Sequence, residues 1–218
     1  MAQQGLLVVV SGPSGVGKST LCKTMISNVP KTSLSISCTT RQPRPAEQDG
    51  VDYHFLEEDR FREMIQRDEF VEWAEVYGKL YGTPKQQLTQ AMDQGIDVLL
   101  DIEAQGARQI MDRYAGAVYV FVAPPSLNTL RTRLYRRAGD SAEEIQRRLQ
   151  KAQDEIANYR SYHYLIRNED LLEASKELEA VILAERIKTQ RLDTRWLIEN
   201  RLVENPEKPD SSSASYVS

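Results

Sequence analysis

Residues 6–29 constrain the fold more than any other stretch. Leu6, Leu7, Val8, Val9 and Val10 form an unbroken apolar run, which predicts a strand buried on both faces. It runs directly into Ser11, Gly12, Pro13, Ser14, Gly15, Val16, Gly17, Lys18, Ser19 and Thr20. Gly12, Gly17, Lys18 and Ser19 complete the pattern G-x-x-x-x-G-K-S/T. Leu21, Cys22, Met25, Ile26 and Val29 then recur at helical spacing, and Pro30 helps to end the helix. Glycines let the backbone turn tightly and aim successive N–H groups inward, so a nest of amides and a helix N-terminus face one anion. Lys18 adds a point charge for outer phosphates, and the Ser19 hydroxyl can hold Mg2+. A glycine-rich turn is the plain alternative, but the strand before and the helix after favour a nucleoside-triphosphate site.

Composition narrows the class. At 218 residues the chain suits one globular domain with a large core. Its 28 basic and 32 acidic residues leave a net charge of −4, which gives no basic footprint for nucleic acid. Cys22 and Cys38 have neither metal nor redox spacing and read as buried thiols in a reducing compartment. No signal peptide and no run of membrane-spanning length is visible, so a cytoplasmic location is expected.

Further along, strands are expected at residues 33–37, 51–56, 70–77, 98–101, 117–122 and 164–166. Asp59 is expected to cap a helix with Phe61, Met64 and Ile65 on one face. Thr83, Pro84 and Gln86 read as a helix start closed by Gly95. Ser126 can cap a helix that turns Leu127, Leu130 and Leu134 inward. Ser141 and Glu144 form a capping box for another, reaching about residue 159. Residues 171–191 read as a long amphipathic helix. This alternation points to a parallel sheet covered on both faces. Two segments stand outside that layering, a small mixed insert from residue 41 to about 92 and an arginine-dense helical insert over about 128–160. Residues 206–218, made of Pro, Glu, Lys, Asp and Ser with little apolar content, read as a disordered tail.

Several blocks then occur in a fixed order. They are the loop of residues 11–20; Ser37, Thr39, Thr40, Arg41, Pro43 and Arg44; Gly50, Asp52, Tyr53 and Phe55; Phe70, Glu72, Trp73 and Ala74; Tyr81, Gly82 and Thr83; and Leu100, Asp101 and Ile102. Together, over residues 6–191, the chain resembles the guanylate kinase family. The phosphate loop alone is generic, whereas Thr-Thr-Arg-x-Pro-Arg with Tyr-Gly-Thr downstream is far more specific. The resemblance implies an α/β, three-layer P-loop NTPase fold with a central parallel sheet, a GMP-binding insert and a helical lid. Its core would be residues 1–36, 93–127 and 161–205, its insert 37–92 and its lid 128–160.

The resemblance also implies residue roles. Gly12, Pro13, Ser14, Gly15, Val16, Gly17, Lys18, Ser19, Thr20 and Asn168 would bind ATP. Arg41, Arg44, Tyr53 and Tyr81 would hold the GMP phosphate, while Glu72 and Asp101 accept hydrogen bonds from guanine with Ser37 and Thr83 assisting. Lys18 with the lid arginines Arg133, Arg137 and Arg148 would be catalytic, and Ser19 and Asp101 would serve Mg2+. Plainer readings stay open beside these. The tyrosines could be half-buried packing residues, Glu72 a solvent-side strand residue, Thr83 only a helix cap and Asn168 turn chemistry. The arginines could lie on solvated loops and helix faces. Where the family commonly has Gly-Arg-Gly, this chain has Arg136, Arg137, Ala138 and Gly139, which bears on the assignment of Arg137.

The implied activity is Mg2+-dependent phosphoryl transfer from ATP to GMP or dGMP, in purine nucleotide metabolism and GMP recycling. The implied partners are these nucleotides, with no nucleic acid and no membrane, in a monomer or homodimer. The rivals are another small-molecule kinase of the same build and a non-catalytic guanylate-kinase-like binding module. Such modules lack a complete phosphate loop, whereas Gly17, Lys18 and Ser19 are all present here.

Overall fold

The computed structural model describes residues 4–76, 78–136, 141–191 and 195–203. In chain order the first elements are β1 (Leu7–Ser11), α1 (Lys18–Asn28), β2 (Thr32–Leu34), β3 (Cys38–Thr39), β4 (His54–Phe55), α2 (Glu58–Gln66), β5 (Phe70–Val76) and β6 (Lys79–Pro84). They are followed by α3 (Lys85–Asp93), β7 (Asp97–Asp101), α4 (Ala104–Arg113), β8 (Val118–Ala123), α5 (Leu127–Arg136), α6 (Ala142–Ala157), β9 (Tyr164–Arg167), α7 (Leu171–Arg186) and α8 (Arg195–Glu199).

Five strands make a wholly parallel sheet in the order β2-β7-β1-β8-β9. The apolar run of β1 is divided between its two faces by the two-residue period of a strand. Val8 and Val10 pack with Leu21, Cys22 and Met25 of α1 and Ala174, Leu178 and Ile182 of α7. Leu7 and Val9 pack on the other side with Leu88 of α3 and Ala107 and Ile110 of α4. A strand covered twice needs apolar residues at every position, which is why β1 does not alternate.

Two attachments flank this core. A four-stranded sheet in the order β4-β3-β6-β5 closes on its own cluster of Cys38, Phe61, Met64, Phe70 and Leu80. Helices α5 and α6 share a separate cluster of Leu130, Leu134, Ile145, Leu149 and Ala152. Ser141 and Glu144 form the expected capping box at the start of α6.

The structure corrects several expectations. The second strand is Thr32–Leu34, shorter than residues 33–37, and the strand expected at 51–56 is reduced to His54–Phe55. Glu57, not Asp59, precedes α2, and Asp59 lies in its first turn, where a negative charge suits the helix dipole. Pro84 precedes α3 while Thr83 sits in β6, so Thr83 is no helix cap. Ile26 is exposed on α1. The long helix ends at Arg186 and is followed by a short 3-10 turn, Thr189–Arg191. Two helices, α4 and α8, were not foreseen. For α4 the signal exists: Ala107, Ile110, Met111 and Tyr114 share one face at helical spacing and pack in one cluster. Cys22 and Cys38 are buried free thiols, as expected. Among the described residues no helix is long and apolar enough to cross a membrane. Tyr77, Arg137 and the tail expected at 206–218 lie outside the described residues.

Candidate active site

A cleft opens where β1 and β7 end, between the phosphate loop and the small four-stranded sheet. Parallel sheets place ligands at such carboxyl ends, because the loops leaving neighbouring strands diverge there. Its walls include Ser14, Gly15, Gly17, Lys18 and Ser19 from the loop, Asp101, Ile102, Glu103 and Gly106 from the end of β7 and the start of α4, and Arg148 from α6. Ser37, Arg41, Arg44, Tyr53, Glu72, Ala74, Val76 and Tyr81 complete it from the opposite side.

On the loop wall, Lys18 begins α1, and its Nζ donates to the Gly12 carbonyl at 2.7 Å. Burial alone would depress the lysine, yet its pKa is raised, because the charges of Glu103, Asp101 and Glu155 outweigh desolvation. Glu103 approaches to 3.8 Å. The Ser19 hydroxyl donates to Asp101 Oδ2, which brings two hard oxygen atoms together at the end of β7. Gly17 stands in the left-handed region with φ 103°, and a Cβ there would fall 2.4 Å from Asn168 Nδ2. Asn168 is buried and donates to the Val16 carbonyl at 2.7 Å. Arg133 donates to the same carbonyl at 3.1 Å and to the Asn168 carbonyl at 2.9 Å. The loop is therefore held from behind by two side chains from distant segments.

On the opposite wall, Arg41 is gripped by Glu47, both carboxylate oxygens lying 2.9 Å from its Nη2. The guanidinium lies over the Tyr53 ring at 5.4 Å, and Tyr53 meets Tyr81 edge to face at 6.0 Å. Burial, helped by the charge of Asp101, pushes the Tyr53 hydroxyl up to about 12. Deeper in, Glu72 is almost fully buried on β5 and accepts from the Thr83 hydroxyl at 2.7 Å. Desolvation raises its carboxyl from 4.5 to about 7, although hydrogen bonds from Thr83 pull the other way. No cation is paired with it among the described residues. Such a carboxylate, an acceptor with no donor beyond Thr83, is a place for a ligand that brings N–H groups.

A family model described as "Guanylate kinase" matches residues 4–185. A guanylate kinase of Carboxydothermus hydrogenoformans is 48% identical over 92% of this chain and 98% of its own length. One of Geobacter metallireducens is 47% identical over 88% and 95%. The crystal structure of guanylate kinase from Anaplasma phagocytophilum superposes with a TM-score of 0.78 at 32% identity, covering 93% of this chain and 98% of that one. The chain belongs to the guanylate kinase family.

Within this guanylate kinase fold, not every residue singled out in the sequence reaches the cleft wall. Ser37, Arg41, Arg44, Tyr53, Glu72, Tyr81, Asp101, Ser14, Gly15, Gly17, Lys18, Ser19 and Arg148 do. Gly12 and Pro13 are met by Lys18 through their carbonyls. Val16 is buried in the core, Thr20 is exposed on α1, and Thr83 supports Glu72 from behind. Asn168 and Arg133 are not part of the cleft wall; both donate to the Val16 carbonyl, and Arg133 also to the Asn168 carbonyl. Sequence reasoning missed Glu103, Gly106, Ala74, Val76 and the arginine partner Glu47. Ala74 and Val76 follow Glu72 at two-residue intervals, so the strand period would have found them.

Proposed function

We infer that this chain transfers the terminal phosphoryl group of ATP to GMP, and to dGMP, giving ADP and the nucleoside diphosphate. The observation that carries this reading is the pairing, in one cleft, of the loop holding Lys18 and Ser19 with a buried, unneutralised acceptor, Glu72. The loop suits the phosphates of ATP. Arg41, Tyr53 and Tyr81 form the polar end of the opposite wall and suit the phosphate of the acceptor. Glu72, at the other end, suits the adjacent ring N–H and exocyclic amine of guanine, both of them donors.

In the reaction an acceptor phosphate oxygen forms the new bond to the terminal phosphorus of ATP, and ADP leaves with the electrons of the bond that breaks. No general base is needed, because the attacking group is already an anion. Lys18 and Arg148 supply positive charge where the transferred group passes, and Arg137 is a further candidate. The Ser19 hydroxyl and the Asp101 carboxylate fit Mg2+, being hard oxygen donors in contact. Among the described residues no three His, Cys, Asp or Glu side chains group to hold a metal. That suits an ion held by one or two protein oxygens together with phosphates. When bound, it would neutralise charge on the phosphates. A cytoplasmic location agrees with the two reduced cysteines.

The test is an assay of ADP formation across GMP, dGMP, IMP, AMP, CMP and UMP. GMP should exceed AMP by about four orders of magnitude in kcat/KM, because adenine would leave the carboxylate unpaired. Equal use of AMP and GMP would overturn the reading.

A further inference from the structure

We propose that Gln109 of α4 is a positioning residue for nucleotide specificity, fixing the edge strand that carries Glu72. The inference rests on the reading of Glu72 as the group that recognises guanine.

β5 is the outer strand of the small sheet, so its outward N–H and C=O groups lack a strand partner. At Trp73, the residue after Glu72, one side chain supplies both missing bonds. Gln109 Nε2 donates to the Trp73 carbonyl at 2.6 Å, and its Oε1 accepts from the Trp73 N–H at 3.3 Å. The amide thus continues the sheet by one peptide-like unit onto a core helix. One turn earlier on the same helix face, Gly106 lies directly against the Glu72 carboxyl. A Cβ at Gly106 would stand 2.3 Å from Glu72 Oε2 and 2.9 Å from its carboxyl carbon. Val71, on the other side of Glu72, packs into the core cluster with Ala107 and Ile110. Residues 71, 72 and 73 are therefore each held by α4, through packing, close approach and paired hydrogen bonds respectively. Thr83 holds the remaining oxygen of Glu72 from the other side.

A buried carboxylate can read two adjacent donors only if both of its oxygens are held in register with them. Gln109 is half-buried, and among the described residues both of its hydrogen bonds go to the Trp73 backbone, which is not part of the cleft wall. It acts through β5.

The experiment compares wild type, Gln109→Ala, Gln109→Glu, Glu72→Ala and the double variant Gln109→Ala/Glu72→Ala. Each is assayed with GMP and with IMP, which lacks the exocyclic amine, and its melting temperature is recorded. Gln109→Ala should raise KM for GMP by about tenfold and reduce the GMP-to-IMP ratio of kcat/KM by a similar factor. Its kcat and its KM for ATP should stay within about twofold. Gln109→Glu is the same size but sets an acceptor-only carboxylate oxygen against the Trp73 carbonyl, so it should lose at least as much discrimination as Gln109→Ala; it also carries the test if Gln109→Ala does not fold. In the Glu72→Ala background, Gln109→Ala should cost no further discrimination. Unchanged discrimination in the Gln109 variants, with only a lowered melting temperature, would overturn the proposal and leave Gln109 a purely structural brace. Unchanged discrimination in Glu72→Ala would instead overturn the reading of Glu72 on which it rests.

Discussion

Lys18 and Glu72 stand on opposite walls of one cleft and are nearly equally buried, 7% and 4% exposed. Their charges fare differently. Lys18 keeps its proton despite desolvation, because Glu103, Asp101 and Glu155 surround it. Among the described residues Glu72 has only Thr83 as a hydrogen-bond donor, and desolvation raises it to about 7. The loop wall is electrostatically complete before any nucleotide arrives. The insert wall is incomplete, and what it lacks is a pair of donors. On the proposed reading, affinity for phosphate is built into the resting protein, while selectivity lies in a charge that the correct base must satisfy.

Removing Lys18 should break the comparison most severely. Lys18→Ala should lower kcat by about a hundredfold to a thousandfold, as expected for loss of one preorganised electrostatic group, with the fold retained by circular dichroism. Arg41→Ala comes next. It should raise KM for GMP by roughly tenfold to a hundredfold and leave KM for ATP nearly unchanged, each charge-assisted bond being worth about 1.5–3 kcal/mol. An equal rise for both substrates would mean that the two walls are not separate sites.

The pH dependence sharpens the contrast by about tenfold. On the proposed reading guanine is bound by ionised Glu72, so KM for GMP should rise by about a factor of ten between pH 8 and pH 6, and Glu72→Gln should lose that component. Stability has the matching sign. A carboxyl raised from 4.5 to about 7 favours the folded state at low pH, and this contribution is lost as pH rises from 4.5 through about 7. Glu72→Gln should therefore gain stability on wild type above pH 7 and lose that advantage below pH 4.5, as read from melting temperatures. The smallest effect is expected at Thr20, which follows the loop but is exposed on α1 and absent from the cleft wall. Thr20→Ala should change kcat/KM by less than about twofold, typical of an exposed site with no special contact. A larger loss would show that the loop wall extends further along α1.

The two walls also differed in how much of them the sequence disclosed. The loop wall is written in ten adjacent residues, flanked by a strand and a helix that its own pattern predicts. Yet what braces it was hidden, since Arg133 and Asn168 reach the Val16 carbonyl across 117 and 152 residues. The insert wall is gathered from Ser37, Arg41, Tyr53, Glu72 and Tyr81, residues that local periodicity cannot bring together. Only resemblance grouped them. Thr83 shows how local rules mislead: Thr-Pro-x-Gln is sound helix-start chemistry, but the hydroxyl is used by a buried carboxylate across the β5–β6 pair. Tertiary demand for a donor outweighed the cap.

The most direct test of this account is proton release on binding GMP at pH 7, measured by titration calorimetry in buffers of different ionisation enthalpy. With a carboxyl near 7, about half of the empty sites are protonated, and guanine must expel that proton. Wild type should release roughly half a proton more than Glu72→Gln, the GMP phosphate contributing equally to both. Identical proton release by wild type and Glu72→Gln would contradict the claim that Glu72 is the charge completed by the base.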